Sequence, residues 1–339
     1  MNTQPLVAFL RRQLDKRKIV CVVRTKELDN YAFNSSYTIL AYQLLASDDV
    51  RGKAYRNVIN KVVRGRKVVD VGTGGLAYMA RMCREAGASI VHAIEYNEKF
   101  RDSIEASIAT TRSEDCPIKV YYGFSTDINL PESCDVLLQQ VIGTISSNEG
   151  VARTVKDAKR FLNPGAVFIP AACGTYVCPT SPLERKWSHK IVNLLVGGTN
   201  TIEPLRMHEV LHFPTSNLMA EPGEMEMFVF SEDYPLVFDR KLEFRMDRDG
   251  LVDGLVFYMQ IVVDRDNVVS SRGENVAWPN PYLKLFDTPV RVAKGDVMSV
   301  DIHVDLATIQ PSYGVEVSLS STPEGRTCRA AHRWAGAGK

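Results

Sequence analysis

Residues 67–95 read "KVVDVGTGGLAYMARMCREAGASIVHAIE". A short β-branched run from Lys67 ends at a glycine. A helix-compatible stretch follows and closes at Gly87, and a second apolar run ends at Glu95. Strand, glycine turn, helix and strand at this spacing predict a parallel βαβ unit. Gly72, Thr73, Gly74 and Ala77 fit a G-x-G-x-x-A turn. Glycine is required where backbone approaches a ligand closely or takes positive φ. Glu95 stands 25 residues after Asp70, at the end of the second strand. A carboxylate placed there can accept both hydroxyls of a ribose.

Two ligands compete for such a turn. A dinucleotide sets its pyrophosphate on the helix N-terminus. S-adenosylmethionine has no phosphate and offers a ribose, an adenine, a sulfonium and an amino-acid tail. Asp70, two residues before the first glycine, sits badly beside a pyrophosphate and well beside an ammonium or a sulfonium. The Asp-Val-Gly-Thr-Gly sequence therefore favours the methyl donor, with S-adenosylhomocysteine as product.

The same texture continues downstream. "KVYYG" and "CDVLLQQ" are strand candidates, with the helix-like "NEKFRDSIEASIATTR" before the first. "VARTVKDAKRFLNPGAVFIP" predicts a helix, a Pro164-Gly165 turn that stops it, and a strand ending at Pro170. Upstream, residues 1–66 look helical, with apolar spacing of three and four around Leu40, Leu44 and Leu45. After Ala171 the chain turns β-rich, with Gly, Pro and Asp punctuation, as in an antiparallel sheet or barrel. The expected fold is α/β: a class I, Rossmann-like domain followed by an antiparallel β-barrel or sandwich. The expected boundaries are a helical lid segment over 1–66, a donor-binding domain over 67–170 and a β-barrel domain over 171–330, with a helical arm near 181–206.

Bulk composition narrows the partners. A chain of 339 residues exceeds what one core usually serves, so two domains are expected. With 41 basic and 40 acidic residues, net charge +1, it lacks the basic excess of a nucleic-acid binder. No apolar run approaches the roughly 20 residues of a spanning helix, so no membrane partner is expected. The N-terminus puts charge after its apolar stretch, the reverse of a signal peptide. Seven cysteines without a C-x-x-C pair argue for reduced thiols, a cytoplasmic setting and no zinc site. His208 and His212, in "MHEVLH", have the i, i+4 spacing of a metal pair on a helix, but they lie beside Pro214, and a surface pair is the expectation. No metal is expected.

Several motifs in order resemble the protein arginine methyltransferases, from about Asp29 to Ser321. "DNYAFNSSY" resembles the family's N-terminal aromatic motif, which implies Tyr31 and Tyr37 as lid tyrosines at the catalytic cleft. "ASDDVRGKAYRNVI" resembles the following helix, and Arg51 would then bind the donor's carboxylate. "GFSTDINLP" resembles the segment framing adenine, which nominates Ser125 and Thr126. "LLQQVIGTISSNEG", residues 137–150, resembles the loop whose two glutamates grip the substrate guanidinium. With Gly143 as the anchor, Glu149 falls on the second glutamate and Gln140 on the first. Trp278 falls in the place of a Thr-His-Trp motif, which implies a substrate contact for Trp278, with Ala277 where the histidine would be. "PLERKWSHKIVNLL" occupies the place of the dimerisation arm, which implies a homodimer.

The departures bear on the substrate. A guanidinium is permanently cationic, and two carboxylates neutralise and orient it. Gln140 removes one of those charges. A pocket holding Glu149 alone suits an ammonium or neutral amine, with Glu149 taking its proton and Gln140 positioning the substrate through its carbonyl. Glu149 has a second reading, as a cap of the helix near Val151. The expected function is methyl transfer to an amine of a small molecule or peptide, as in a biosynthetic pathway. The alternatives are a protein arginine methyltransferase that tolerates the glutamine, and a donor-binding but silent partner of an active homologue.

Overall fold

A computed structural model of the protein describes residues 21–26, 39–110, 116–183, 206–273, 276, 278–308 and 310–335. Tyr31, Tyr37, Ala277 and most of the expected arm, residues 184–205, lie outside the described residues.

Strand β1 (Cys21–Lys26) is followed by helices α1 (Ile39–Ala46) and α2 (Asp49–Val62). Asp48 caps α2 by accepting from the Arg51 amide at 3.0 Å. The buried face of α2 carries Arg51, Ala54, Tyr55, Val58 and Ile59, spaced three and four apart, so one stripe meets the core.

The next segment alternates as its sequence predicts: β2 (Lys67–Val71), α3 (Tyr78–Glu85), β3 (Ile90–Glu95), α4 (Arg101–Ala109), β4 (Ile118–Tyr122), β5 (Cys134–Gln139), α5 (Val151–Ala158) and β6 (Leu162–Ile169). The strands form a parallel sheet in the order β4-β3-β2-β5-β6. Every residue of β3 is buried, as expected of a strand covered on both faces. The order reverses direction at β2, between β3 and β5, so the crevice lies beyond the C-terminal ends of those strands.

The remaining chain is antiparallel: β7 (Ala172–Thr180), β8 (Met207–Leu211), β9 (Gly223–Val229), β10 (Val237–Arg245), β11 (Gly250–Val252), β12 (Gly254–Asp264), β13 (Asn267–Ser270), β14 (Asn280–Lys284), β15 (Val290–Val292), β16 (Val297–Asp305), β17 (Ser312–Ser321) and β18 (Arg326–Ala335). One sheet runs β1-β8-β14-β12-β7-β9, with β13 added to β12, and a second runs β10-β16-β17-β18. Tyr313 stacks on Trp334 at 5.4 Å and Phe257 meets Trp334 edge-on at 5.9 Å, joining strands of both sheets. One continuous core cluster runs from α2 through the parallel sheet to these rings.

Three expectations need correction. Residues 1–66 are not helical throughout, because β1 is a strand paired with β8. "MHEVLH" is not helical either: β8 puts His208 in a buried strand against the Tyr282 ring, and His212 turns to φ 56 just after it. A strand holds those imidazoles too far apart to share an ion, and no group of three metal-ligating side chains occurs among the described residues. Pro164 and Gly165 lie inside β6 rather than in a turn before it. β6 is a sheet edge, where a missing N–H is tolerated. Among the described residues no helix is long and apolar enough to cross a membrane.

Candidate active site

The glycine turn after β2 is built for close approach. Gly72 and Gly74 take φ of 73° and 71°. A Cβ on Gly72 would lie 2.8 Å from Val141, and one on Gly74 would lie 2.6 Å from the Tyr42 ring. The Gly72 and Thr73 amides donate to the Ile94 carbonyl at 2.9 and 3.0 Å, tying the turn to β3.

Two acids face this turn. Glu95 Oε2 accepts from the Gly74 amide at 2.9 Å, and Oε1 accepts from the Asn97 amide at 3.0 Å. Both oxygens of the Glu95 carboxylate are thus held by backbone amides. Asp70 is 2% exposed and accepts from Thr73 Oγ1 at 2.6 Å. Burial raises its carboxyl to about 7, with Glu95 adding to the effect and the Thr73 hydroxyl opposing it.

Arg51 is the large buried cation of the cleft, at 2% exposure. Its Nη1 donates to Gln140 Oε1 at 2.6 Å, its Nη2 donates to the Leu45 carbonyl, and the guanidinium lies 5.4 Å from the centre of the Trp278 ring. Trp278 Nε1 donates to the Ile142 carbonyl at 3.1 Å. Trp278 therefore packs behind Arg51 and braces the loop, instead of lining the cavity as expected of a substrate contact. The Gln140 expectation also changes. Its carbonyl is engaged by Arg51, so that oxygen is not free to position a substrate. Burial raises the pKa of the Tyr55 phenol, while Arg51 and Gln140 work against that rise.

Glu149 is 4% exposed. The N-cap of α5 is Gly150, at φ 82°, so Glu149 stands outside the capping position and turns to the cleft. The loop that delivers it folds tightly: a Cβ on Gly143 would sit 1.5 Å from Asn148 Oδ1. A larger residue at 143 would displace the Asn148 side chain and crowd Glu149.

The cleft has two adjoining chambers. One, of about 80 Å³, brings together Arg51, Asp70, Gly72, Thr73, Gly74, Glu95, Gln140 and Glu149. The other, of about 300 Å³, adds Ser125 and Thr126 and shares Gly72, Tyr96, Val141 and Glu149. Sequence reasoning missed Tyr42, which underlies Gly74 and meets Phe100 edge-on at 5.2 Å. It also missed Tyr96, stacked on Phe124 at 5.5 Å. Tyr96 directly follows Glu95, a signal that was available; Tyr42 sits on a helix with no motif around it. A larger open concavity of about 600 Å³ lies on the β10-β16-β17-β18 sheet and shares no residue with the cleft. Polar groups there, such as His303 and Asp239 at 2.8 Å, pair with one another across exposed strands.

No family model matches the chain. Over 159 residues it is 33% identical to protein arginine N-methyltransferase PRMT10 of Arabidopsis thaliana, covering 45% of this chain and 41% of that protein. Over 326 residues it is 27% identical to the histone-arginine methyltransferase CARMER of Drosophila ananassae, covering 89% of this chain and 60% of that protein. The matched stretch spans about two fifths of the length of the PRMT10 proteins of Arabidopsis and rice. The crystal structure of Arabidopsis thaliana protein arginine methyltransferase 10, in an open conformation, superposes with a TM-score of 0.68 at 16% identity, over 87% of this chain and 97% of that one. A Trypanosoma brucei PRMT1 enzyme-prozyme heterotetramer with AdoHcy gives 0.65 at 17% identity, over 86% and 97%. The chain thus resembles protein arginine methyltransferases in sequence and has their fold, a Rossmann-like domain followed by a β-barrel domain.

Proposed function

We propose that this chain is an S-adenosylmethionine-dependent methyltransferase whose acceptor is an amine of a small molecule or peptide rather than an arginine side chain. The residues present suit the donor. Glu95, held by two backbone amides, receives the ribose hydroxyls. Asp70 lies where the tail ammonium and sulfonium need a negative neighbour, and Arg51 supplies a cation for the tail carboxylate. Ser125 and Thr126 flank the larger chamber for adenine. When bound, the donor supplies an electrophilic methyl on sulfur.

The acceptor assignment rests on the contact between Arg51 Nη1 and Gln140 Oε1 at 2.6 Å. It commits the carbonyl of residue 140 to the protein and leaves Glu149 as the carboxylate of the loop that faces the cleft. A guanidinium would keep a full positive charge against one carboxylate, and a desolvated charge left under-compensated costs several kcal/mol. A primary or secondary amine fits better. Glu149 accepts its proton, the nitrogen lone pair is freed, and the tight, largely buried cleft limits competing water.

A second reading, transfer to protein arginine, is supported by the names of the relatives. Isotope-labelled donor offered with a panel of amines and with arginine-rich peptides separates the two. Faster labelling of the arginine peptides than of every amine would overturn the amine reading. A homodimer is proposed as well, on the family's pattern of assembly, and sedimentation of the purified chain tests it.

A further inference from the structure

The loop that carries Glu149 grows out of the parallel sheet but is held by the barrel. The Ser146 amide donates to Thr175 Oγ1 at 2.8 Å and the Ser146 hydroxyl donates to the Gly174 carbonyl at 2.5 Å. The Ser147 amide donates to Glu226 Oε1 at 3.1 Å, and its hydroxyl donates to Oε2 at 2.6 Å. Thr175 Oγ1 donates to the same Oε1 at 2.7 Å. With its proton on Glu226, the Ser147 hydroxyl accepts from Tyr313, 2.8 Å away on β17. One carboxylate on β9 thus gathers the amide and hydroxyl of Ser147, β7 through Thr175 and, through Ser147, the far sheet.

This carboxylate is placed by a backbone irregularity. In "GEMEMFV", strict alternation would put Glu224 and Glu226 on the same face. The pairing with β7 shifts register between Thr175 and Tyr176, opposite Glu226 and Glu224 respectively. Glu224 stays exposed, while Met225 and Glu226 are both buried. Bulges re-aim single side chains in this way, often next to active sites. Among the described residues, the hydrogen-bond partners of Glu226 are hydroxyls and an amide, with no cation, although the side chain is 0% exposed. A buried acid in such company is expensive to keep. Packing alone would favour an apolar residue there.

We propose that Glu226 is a positioning residue for methyl transfer: it clamps Ser147 so that Glu149, two residues on, faces the acceptor. The proposal rests on the reading of Glu149 as the acceptor-facing carboxylate. The hydrogen bonds of Glu226 go to Ser147 and Thr175, at the far end of the loop from the Arg51 contact at Gln140, so donor affinity and loop order can be read separately.

The test uses the full chain with Glu226→Gln, which keeps the shape and one acceptor, and Glu226→Leu, which keeps neither. Three readouts are taken: S-adenosylhomocysteine affinity by calorimetry, amide exchange over residues 144–149, and kcat and KM for an acceptor found in the amine panel. In Glu226→Leu, affinity should stay within about twofold and loop protection should fall. Displacing a reacting group by about 1 Å can cost about 10²-fold, so kcat should drop by roughly that factor with little change in KM. Glu226→Gln should recover much of both losses, and it carries the test if the leucine variant does not fold. An unchanged kcat with a loosened loop overturns the proposal, and so does unchanged loop protection. Parallel loss of donor affinity also overturns it, since that marks a general structural role. If the wild type methylates no acceptor, the Glu149 reading fails. Exchange and affinity then still decide whether Glu226 holds the loop.

Discussion

Gln140→Glu should weaken the cleft's hold on the donor tail. Arg51 Nη1 contacts Gln140 Oε1 at 2.6 Å, and Arg51 is 2% exposed. A carboxylate at 140 would neutralise that guanidinium. A tail carboxylate held by Arg51 would then face a like charge roughly 5–6 Å away, about 3 kcal/mol of repulsion at an effective dielectric of about 20. Relaxation and solvent access lower this, and a net loss of about 1.5–3 kcal/mol corresponds to a roughly ten- to hundredfold rise in Kd. Calorimetry with S-adenosylhomocysteine measures that rise. The control is 5′-methylthioadenosine, which keeps the adenine and ribose but has no carboxylate; its affinity should stay within about twofold. Unchanged affinity for S-adenosylhomocysteine would refute the placement of Arg51 opposite the tail. Equal weakening of both ligands would refute it too, because the defect would then be general.

Other expectations follow from the same geometry. The Asp70 carboxyl, raised to about 7 by burial and Glu95, is protonated and neutral below that pH and anionic above it. A cationic tail should therefore bind better as pH rises from 6 to 8, by about tenfold over that whole range, and Asp70→Asn should flatten the profile of Kd against pH. Glu149→Gln should lower kcat by about 10²–10⁴-fold with donor affinity intact; full activity would move the base elsewhere. Gly74→Ala forces an alanine to φ 71° with its Cβ 2.6 Å from the Tyr42 ring. It should lower Tm by several degrees, at about 2–4 °C per kcal/mol, and weaken donor binding, both readable in one thermal-shift titration. Trp278→Phe removes the Nε1 bond to Ile142 while keeping a ring over Arg51. A stability loss of about 1 kcal/mol in urea unfolding is expected.

What the sequence made legible was local. The glycine turn and Glu95 are 21 to 23 residues apart and belong to one βαβ unit, so spacing alone brought them together. Gly143 and Glu149 share one loop, and its tight fold is visible in the Gly143 contact with Asn148. The misses are long-range. Arg51 and Gln140 are 89 residues apart, and only the packing of α2 on the end of β5 reveals that one occupies the other's carbonyl. Trp278, 136 residues from its partner Ile142, braces the loop from the barrel side. Glu226 was hidden by a register shift, which breaks the alternation that sequence reading relies on. β1 is six residues long, and its partner lies far down the chain, so no local periodicity marks it as a strand.

That separation has a consequence for synthesis. The ribosome delivers β1 before the parallel sheet, yet β8 does not emerge until roughly 180–190 residues after β1, which takes about 10–40 s at ~5–20 residues per second. The strands β2 to β6 can assemble meanwhile. β1 has no partner strand until β8 exists, so this edge of the barrel can close only after every strand of the parallel sheet has been made.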